Sequence, residues 1–222
     1  MINWKKINLE RRLIMLVDLH IHESKYSLDS HVSLENIVAE AKSKGLDGIA
    51  ITDHDDMQIK EEAKALSELL NYPIFVGVEY LTLEGDIVAF GIDQVPEGRI
   101  PAQEFIDIVK AAGGVCIAAH PFRNNNRGLE NNLNIVKGLA GIEGFNGNTD
   151  KLSNLKAVET AKKLGIQTVG SSDAHHQHEV GKYATKLPFK VANIEELIEA
   201  IKTNKCTPRI YIDGEYKEIK EN

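Results

Sequence analysis

The sequence predicts a single α/β domain, a closed barrel or a doubly wound sheet, on three observations. Short Val/Ile-rich runs recur along the chain, apolar throughout, as parallel strands covered on both faces are. Amphipathic stretches of helical length separate them. Three junctions, KSKGLDGIAIT, KAAGGVCIAA and KKLGIQTVG, share one grammar of basic helix end, glycine stop and strand.

Residues 1–14 are read as a lead-in and residues 15–222 as the domain. The lead-in has basic residues followed by apolar ones, as a signal peptide does. Its apolar part is short and runs into a strand at Met15 with no small-residue cleavage site, and Trp4 in it reads as packing or pocket wall. LIMLVDLHI is the first strand. A helix over 33–44 follows, with Ser33 as its cap and Gly45 as its stop. DGIAIT is the second strand, and 58–70 the second helix. IFVGVEYL is the third strand, continuing through a turn at Glu84-Gly85 into DIVAFGI, a hairpin arm. Helices over 102–112, 129–139, 152–164 and 194–202 then alternate with the strands VCIAA, GIEGF, IQTVGSS and a last RIYI. Such a run of roughly seven β–α units closes into a barrel or opens into a doubly wound sheet. No GxGxxG turn follows the first strand, which disfavours a dinucleotide site.

A length of 222 residues suits one large domain, and 42% hydrophobic with 27% charged residues is an ordinary globular balance. The net charge of -7, with no basic-aromatic stripe, argues against a long nucleic-acid groove. Cys116 and Cys206 form no CxxC pair, so neither a zinc knuckle nor a dithiol redox site is suggested. Cys116, in GVCIAAH, reads as a buried small hydrophobe in a reduced, cytoplasmic chain. No apolar run reaches membrane-spanning length, and neither a membrane nor a protein partner is implied.

In a barrel of parallel strands, residues at the strand C-termini converge on one mouth. The first strand here ends in Asp18-Leu-His20-Ile-His22 and the second in Thr52-Asp53-His54-Asp55. The third carries Glu79, the fourth ends in His120-Pro121, the fifth near Asn146, and the sixth in Asp173-Ala-His175. His20 and His22 alternate and so face one side of a strand. Imidazoles and carboxylates buried together are costly unless something satisfies them, and divalent zinc, manganese or iron does so directly. Such ions acidify a bound water and hold an electrophile's oxygen, which points to hydrolysis.

DLHIH, ITDHDD, the glutamate after the third strand, AAHP and SSDAH, in this order, resemble the PHP (polymerase and histidinol phosphatase) family from Asp18 to about Lys182. The resemblance implies a distorted (β/α)7 barrel with two or three divalent ions at the C-terminal mouth of its strands. It implies that His20, His22, Glu79 and Asp173 hold a first ion. Glu79 would bridge to a second, also held by His120, and His54, His175 and Asp29 would hold a third. Two positions depart from the common pattern: Asp29 and Asn146 stand where many members have histidine. A carboxylate still binds metal, whereas an amide oxygen is a poorer ligand for a borderline metal, so water is an alternative to Asn146.

Asp18 and Asp53 are read either as partners of imidazole N–H groups or as carboxylates bonded to backbone. Asp55 reads as a cap for the second helix. Arg123 is a candidate phosphate ligand, Lys182 an alternative one, and Arg127 a solvated loop residue. His176 and His178 are candidates for a general acid or else exposed loop histidines; His31 is read as exposed and Tyr26 as packing or pocket wall. The function expected is a metal-dependent phosphoesterase acting on a small phosphomonoester, a nucleotide or a nucleic-acid end by metal-activated hydroxide. The alternatives are a C–N bond hydrolase of amidohydrolase type and a non-catalytic, metal-stabilised binding module.

Overall fold

The computed structural model describes residues 14–219; Trp4 and the rest of 1–13 lie outside the described residues, as do 220–222. The strands are β1 (Met15–Ile21), β2 (Gly48–Ile51), β3 (Ile74–Val76), β4 (Val78–Leu81), β5 (Asp86–Phe90) and β6 (Val115–Ala118). β7 (Gly141–Asn146), β8 (Thr168–Ser171), β9 (Tyr183–Leu187), β10 (Thr207–Ile212) and β11 (Glu215–Glu218) follow. The helices are α1 (Leu34–Ser43), α2 (Lys60–Leu70), α3 (Ala102–Ala111), α4 (Lys151–Leu164) and α5 (Ile194–Lys202). Ser33 caps α1 by accepting from the backbone N–H of Asn36, and Gly45 follows it at φ +80, both as expected. Asp55 does not cap α2; its carboxylate accepts from the backbone N–H of Leu81 instead.

The strands form two sheets, ordered β11-β10-β9-β1-β2-β3 and β4-β5-β6-β7-β8. β1, β2 and β3 run parallel, as do β6, β7 and β8, while β5 is the expected hairpin arm, antiparallel to β4 and β6. The sheets meet at two bridges in the parallel sense, His54 to Glu79 and Ile21 to Ala174.

Three expectations are corrected. IFVGVEYL is two strands in different sheets, parted at Gly77, where a Cβ would lie 2.5 Å from the carbonyl oxygen of Ala89. RIYI is not a seventh parallel stave: β10 pairs antiparallel with β9, which pairs antiparallel with β1. Finally, 129–139 holds only a 3-10 turn, Glu130–Asn134. Its sequence ENNLN is rich in asparagine, whose side chain competes for backbone hydrogen bonds.

Alternation sorts the strand residues onto two faces. Val17, Leu19, Phe75, Val88, Phe90 and Ile117 pack together between the sheets, and Leu197 and Ile201 of α5 close that core at the N-terminal end of the parallel strands. Val78, Tyr80, Ile87 and Ala89 face the opposite way, packing with Phe105 of α3 and Ala157 of α4. Ile49 and Ile51 pack with Ile37 of α1 and Ala63 of α2. Truncating such a residue to alanine costs about 2–5 kcal/mol. The pairing of β1 with β2 is irregular between Asp18 and Ile21. Beyond that point parity reverses, so Ile21 joins the α1–α2 layer while His20 and His22 turn inward. Among the described residues no helix is long and apolar enough to cross a membrane.

Candidate metal centre

Strand ends deliver the predicted side chains to one place. His20 lies on β1 and His22 directly after it, Glu79 lies on β4, and His54, His120, Asp173 and His175 follow shortly after β2, β6 and β8. His20, His22, Glu79, His120 and Asp173 are at most 2% exposed. Among the described residues, three sets of side chains hold their donor atoms within 4.8 Å of one another: His20, His22 and Glu79; His22, His54 and His175; and Glu79, Asp86 and His120.

Glu79 sits at the centre. Its Oε1 is 2.7 Å from Nε2 of His120, and its Oε2 is 2.8 Å from Nδ1 of His54. Oε2 is also 3.5 Å from Nε2 of His20 and 3.4 Å from Nε2 of His22. Oδ1 of Asp173 faces the same two nitrogens at 3.5 and 3.2 Å. On the open side Oδ2 of Asp29 lies 3.1 Å from Nε2 of His54 and 3.4 Å from Nε2 of His175.

Burial alone would raise the carboxyls of Glu79 and Asp173, but the histidines around them, His20 foremost, hold both well below the usual carboxylate range. Burial opposes a charge on His20, yet Asp173, Glu143 and Glu79 hold it well above the ordinary imidazole value. Burial dominates for His22, which is pushed down to about 4. Glu79 Oε2 and Asp173 Oδ1 are buried and make no hydrogen bond, while Nε2 of His20 and Nε2 of His22 point at each other across 3.0 Å. Two ionised carboxylate oxygens and two imidazole nitrogens converging in a dry site are the donor set of a divalent cation. The residues fit the ions that the sequence motifs imply.

A further layer fixes these groups, and sequence reading missed most of it. Glu143 accepts from Nδ1 of His20 at 2.8 Å, from the backbone N–H of His120 at 2.8 Å and from Nδ2 of Asn146 at 2.8 Å. Its signal was a lone acid inside the apolar strand GIEGF. Asp53 reaches His22 through Ser27, whose Oγ lies 2.9 Å from Asp53 and 3.2 Å from Nδ1 of His22. Asp18 takes the other reading and accepts backbone N–H groups of Ser172 and Gly181. Arg127 is half-buried rather than solvated: it forks onto Asp86, with Nε 2.7 Å from Oδ2 and Nη2 3.0 Å from Oδ1.

The remaining candidates divide. Arg123 stands at the rim, ion-paired with Asp173 and donating to Asn146 at 2.6 Å and Thr149 at 3.1 Å. Lys182 donates to the carbonyl of Gly147, beside Asn146. Asn146 is buried, with its amide N–H groups on Glu143 and Asp173. His176 and His178 are exposed, stacked on each other at 5.9 Å, with His31 stacked on His176 at 4.9 Å. No side-chain hydrogen bond or ion pair between described residues joins either ring to the cluster.

Residues 18–138 match the model of the PHP domain, and residues 151–206 that of the PHP-associated region. An uncharacterized protein of Methanocaldococcus jannaschii is 34% identical over 143 residues, which cover 60% of this chain and 82% of that protein. Among solved structures, PsfC from Pseudomonas syringae superposes with a TM-score of 0.68 at 17% identity, covering 91% of this chain and 93% of that one. A Bifidobacterium adolescentis protein, described provisionally as a metal-dependent phosphoesterase, gives 0.60 at 20% identity over 72% of this chain and 87% of its own. A lesion-specific endonuclease from Pyrococcus furiosus gives 0.59 at 18% identity over 86% of this chain and 56% of its own. At these identities the structural likeness concerns the fold.

Proposed function

The chain belongs to the PHP domain family, and from that premise we propose that it is a metal-dependent phosphoesterase acting on a small phosphomonoester, a nucleotide or a nucleic-acid end. The two sheets in edge contact are then read as a distorted, interrupted barrel with its site at the C-terminal mouth. One observation carries the reading: two buried carboxylate oxygens without hydrogen bonds, on Glu79 and Asp173, face the paired imidazoles of His20 and His22.

His20, His22, Glu79 and Asp173 would hold one divalent ion, Glu79 and His120 would share a second, and His54, His175 and Asp29 would hold a third. When bound, zinc, manganese or iron would supply Lewis acidity toward water and toward a phosphoryl oxygen. The chain's own groups do the rest. Glu143 orients His20, and Ser27 with Asp53 orients His22. Arg123 and Lys182 offer cationic donors at the rim for phosphoryl oxygens. A substrate enters on the side of Asp29, whose side chain is 56% exposed against 0% for His20. A net charge of -7 favours a small ester or a single terminal nucleotide over a long strand. Two buried free cysteines suit a reducing, cytoplasmic setting.

The test is to purify the protein without chelators, count its metals by elemental analysis, and assay phosphate release from phosphomonoesters and nucleotides with added manganese or zinc. Two or three ions per chain, with turnover lost in His20→Ala and Asp173→Ala, is the expected result. Bound metal with no turnover on any phosphate would move the assignment to C–N hydrolysis or to a binding module, and no metal under any loading condition would overturn it.

A further inference from the structure

We propose that Asp86, and not Asn146, completes the second ion's site together with Glu79 and His120. The inference rests on the metal-centre reading above and names the donor which that reading leaves open.

Asp86 opens β5, and alternation places it on the same inner face as Val88 and Phe90. It is fully buried, and its Oδ2 lies 3.8 Å from Nε2 of His120. The donor atoms of Glu79, Asp86 and His120 all lie within 4.8 Å of one another, a spacing that one cation can span. Oε1 of Glu79 faces this set, 2.7 Å from Nε2 of His120.

Asn146 is committed elsewhere. Its Oδ1 accepts from Nη2 of Arg123 at 2.6 Å, the backbone N–H of Asn148 at 3.0 Å and Oγ1 of Thr149 at 3.1 Å. Its Nδ2 donates to Glu143 at 2.8 Å and Asp173 at 3.2 Å. Exchanging the amide's ends would set its oxygen against two carboxylates and its N–H groups against Arg123. The amide oxygen therefore has no free lone pair toward Glu79 and His120. A carboxylate oxygen has two lone pairs, so Asp86 can accept from Arg127 and still ligate. Arg127 then acts as a positioning residue that fixes the carboxylate's plane.

The experiment titrates Mn2+ into metal-free protein, with free Mn2+ counted by electron paramagnetic resonance and thermal melts run in parallel. Asp86→Asn is expected to bind one ion fewer than the native chain, or to bind that ion more than about tenfold more weakly. Asn146→Ala keeps the native number, and Asp86→His, which restores a donor, recovers it. The double variant Asp86→Asn/Arg127→Met removes the stranded guanidinium, stays one ion short, and serves in place of the single variant if that one does not fold. A native count at native affinity in Asp86→Asn, recovery in the double variant, or loss of the same ion in Asn146→Ala would each overturn the proposal. A native chain that binds no Mn2+ would instead overturn the metal-centre reading itself.

Discussion

Nδ1 of His20 lies 2.8 Å from Oε1 of Glu143, an acid 123 residues further along the chain and also buried. With Nδ1–H donated to that carboxylate, the lone pair of Nε2 is directed at Glu79 and Asp173. Glu143→Gln keeps the shape but removes the charge that supports this tautomer. Metal affinity, measured by competition with a chelating dye, is expected to fall about 10–100-fold. An unchanged affinity would mean that Glu143 is a packing residue only.

Protons and metals compete here with a definite sign. Burial lowers His54, but Glu79 and Asp29 outweigh it and lift its pKa from 6.5 to about 9. His20 is lifted as well. At neutral pH His54 is protonated in the metal-free chain, and loading must expel that proton. Affinity therefore rises with pH toward about 9, and calorimetry in buffers of different ionisation enthalpy should register proton release. A raised pKa also stabilises the metal-free fold fully below 6.5, a contribution lost as pH rises through about 9. The melting temperature of the metal-free protein should fall across that window, and more than that of the loaded protein.

Arg123→Ala tests the rim. Loss of a charged hydrogen bond to phosphate, about 1.5–3 kcal/mol, should lower kcat/KM roughly 10–100-fold, mostly through KM. Arg123→Lys should recover only part of it, because lysine lacks the planar fork. Since Arg123 also touches Asp173, the bound metal is counted in both variants; a lost ion would reassign Arg123 to the cluster.

His176→Ala and His178→Ala are each expected to keep activity within about threefold, well short of the ~10²-fold or more that a general acid contributes. The two rings are exposed and stacked on each other, and among the described residues no side-chain hydrogen bond or ion pair joins them to the cluster. A loss of that larger size, with a displaced acidic limb in the pH–rate profile, would make one of them the proton donor.

The clustered histidines were legible because their chemistry is concentrated at strand ends, in DLHIH, TDH, AHP and DAH. The supporting carboxylates were harder to find. Glu143 and Asp86 sit inside apolar runs, and only the pairing of β5, β6 and β7 shows that both point inward. Arg127 looked solvated because nothing local predicts a partner 41 residues away. YATKL lacks the apolar density of a buried strand and gains its order from pairing with β1 and β10 on either side. Gly77 gave no hint of dividing a strand, because the crowding that forbids a side chain there comes from Ala89 and Phe90 on the hairpin arm.

His20, His22 and His54 lie on or just beyond strands of one sheet, while Glu79, His120 and Asp173 lie on or just beyond strands of the other. Where the two plates join, a few amides do the fastening: His22 to Ala174, Asp173 to His20, Gly77 to Ile51 and Glu79 to Asp53. Ions shared by those ligands would act as rivets through both plates. Starving the cell of metal would then let the joint breathe, and proteases would meet an opened molecule rather than a merely idle one. Metal supply would set how long each copy survives as well as how fast it works.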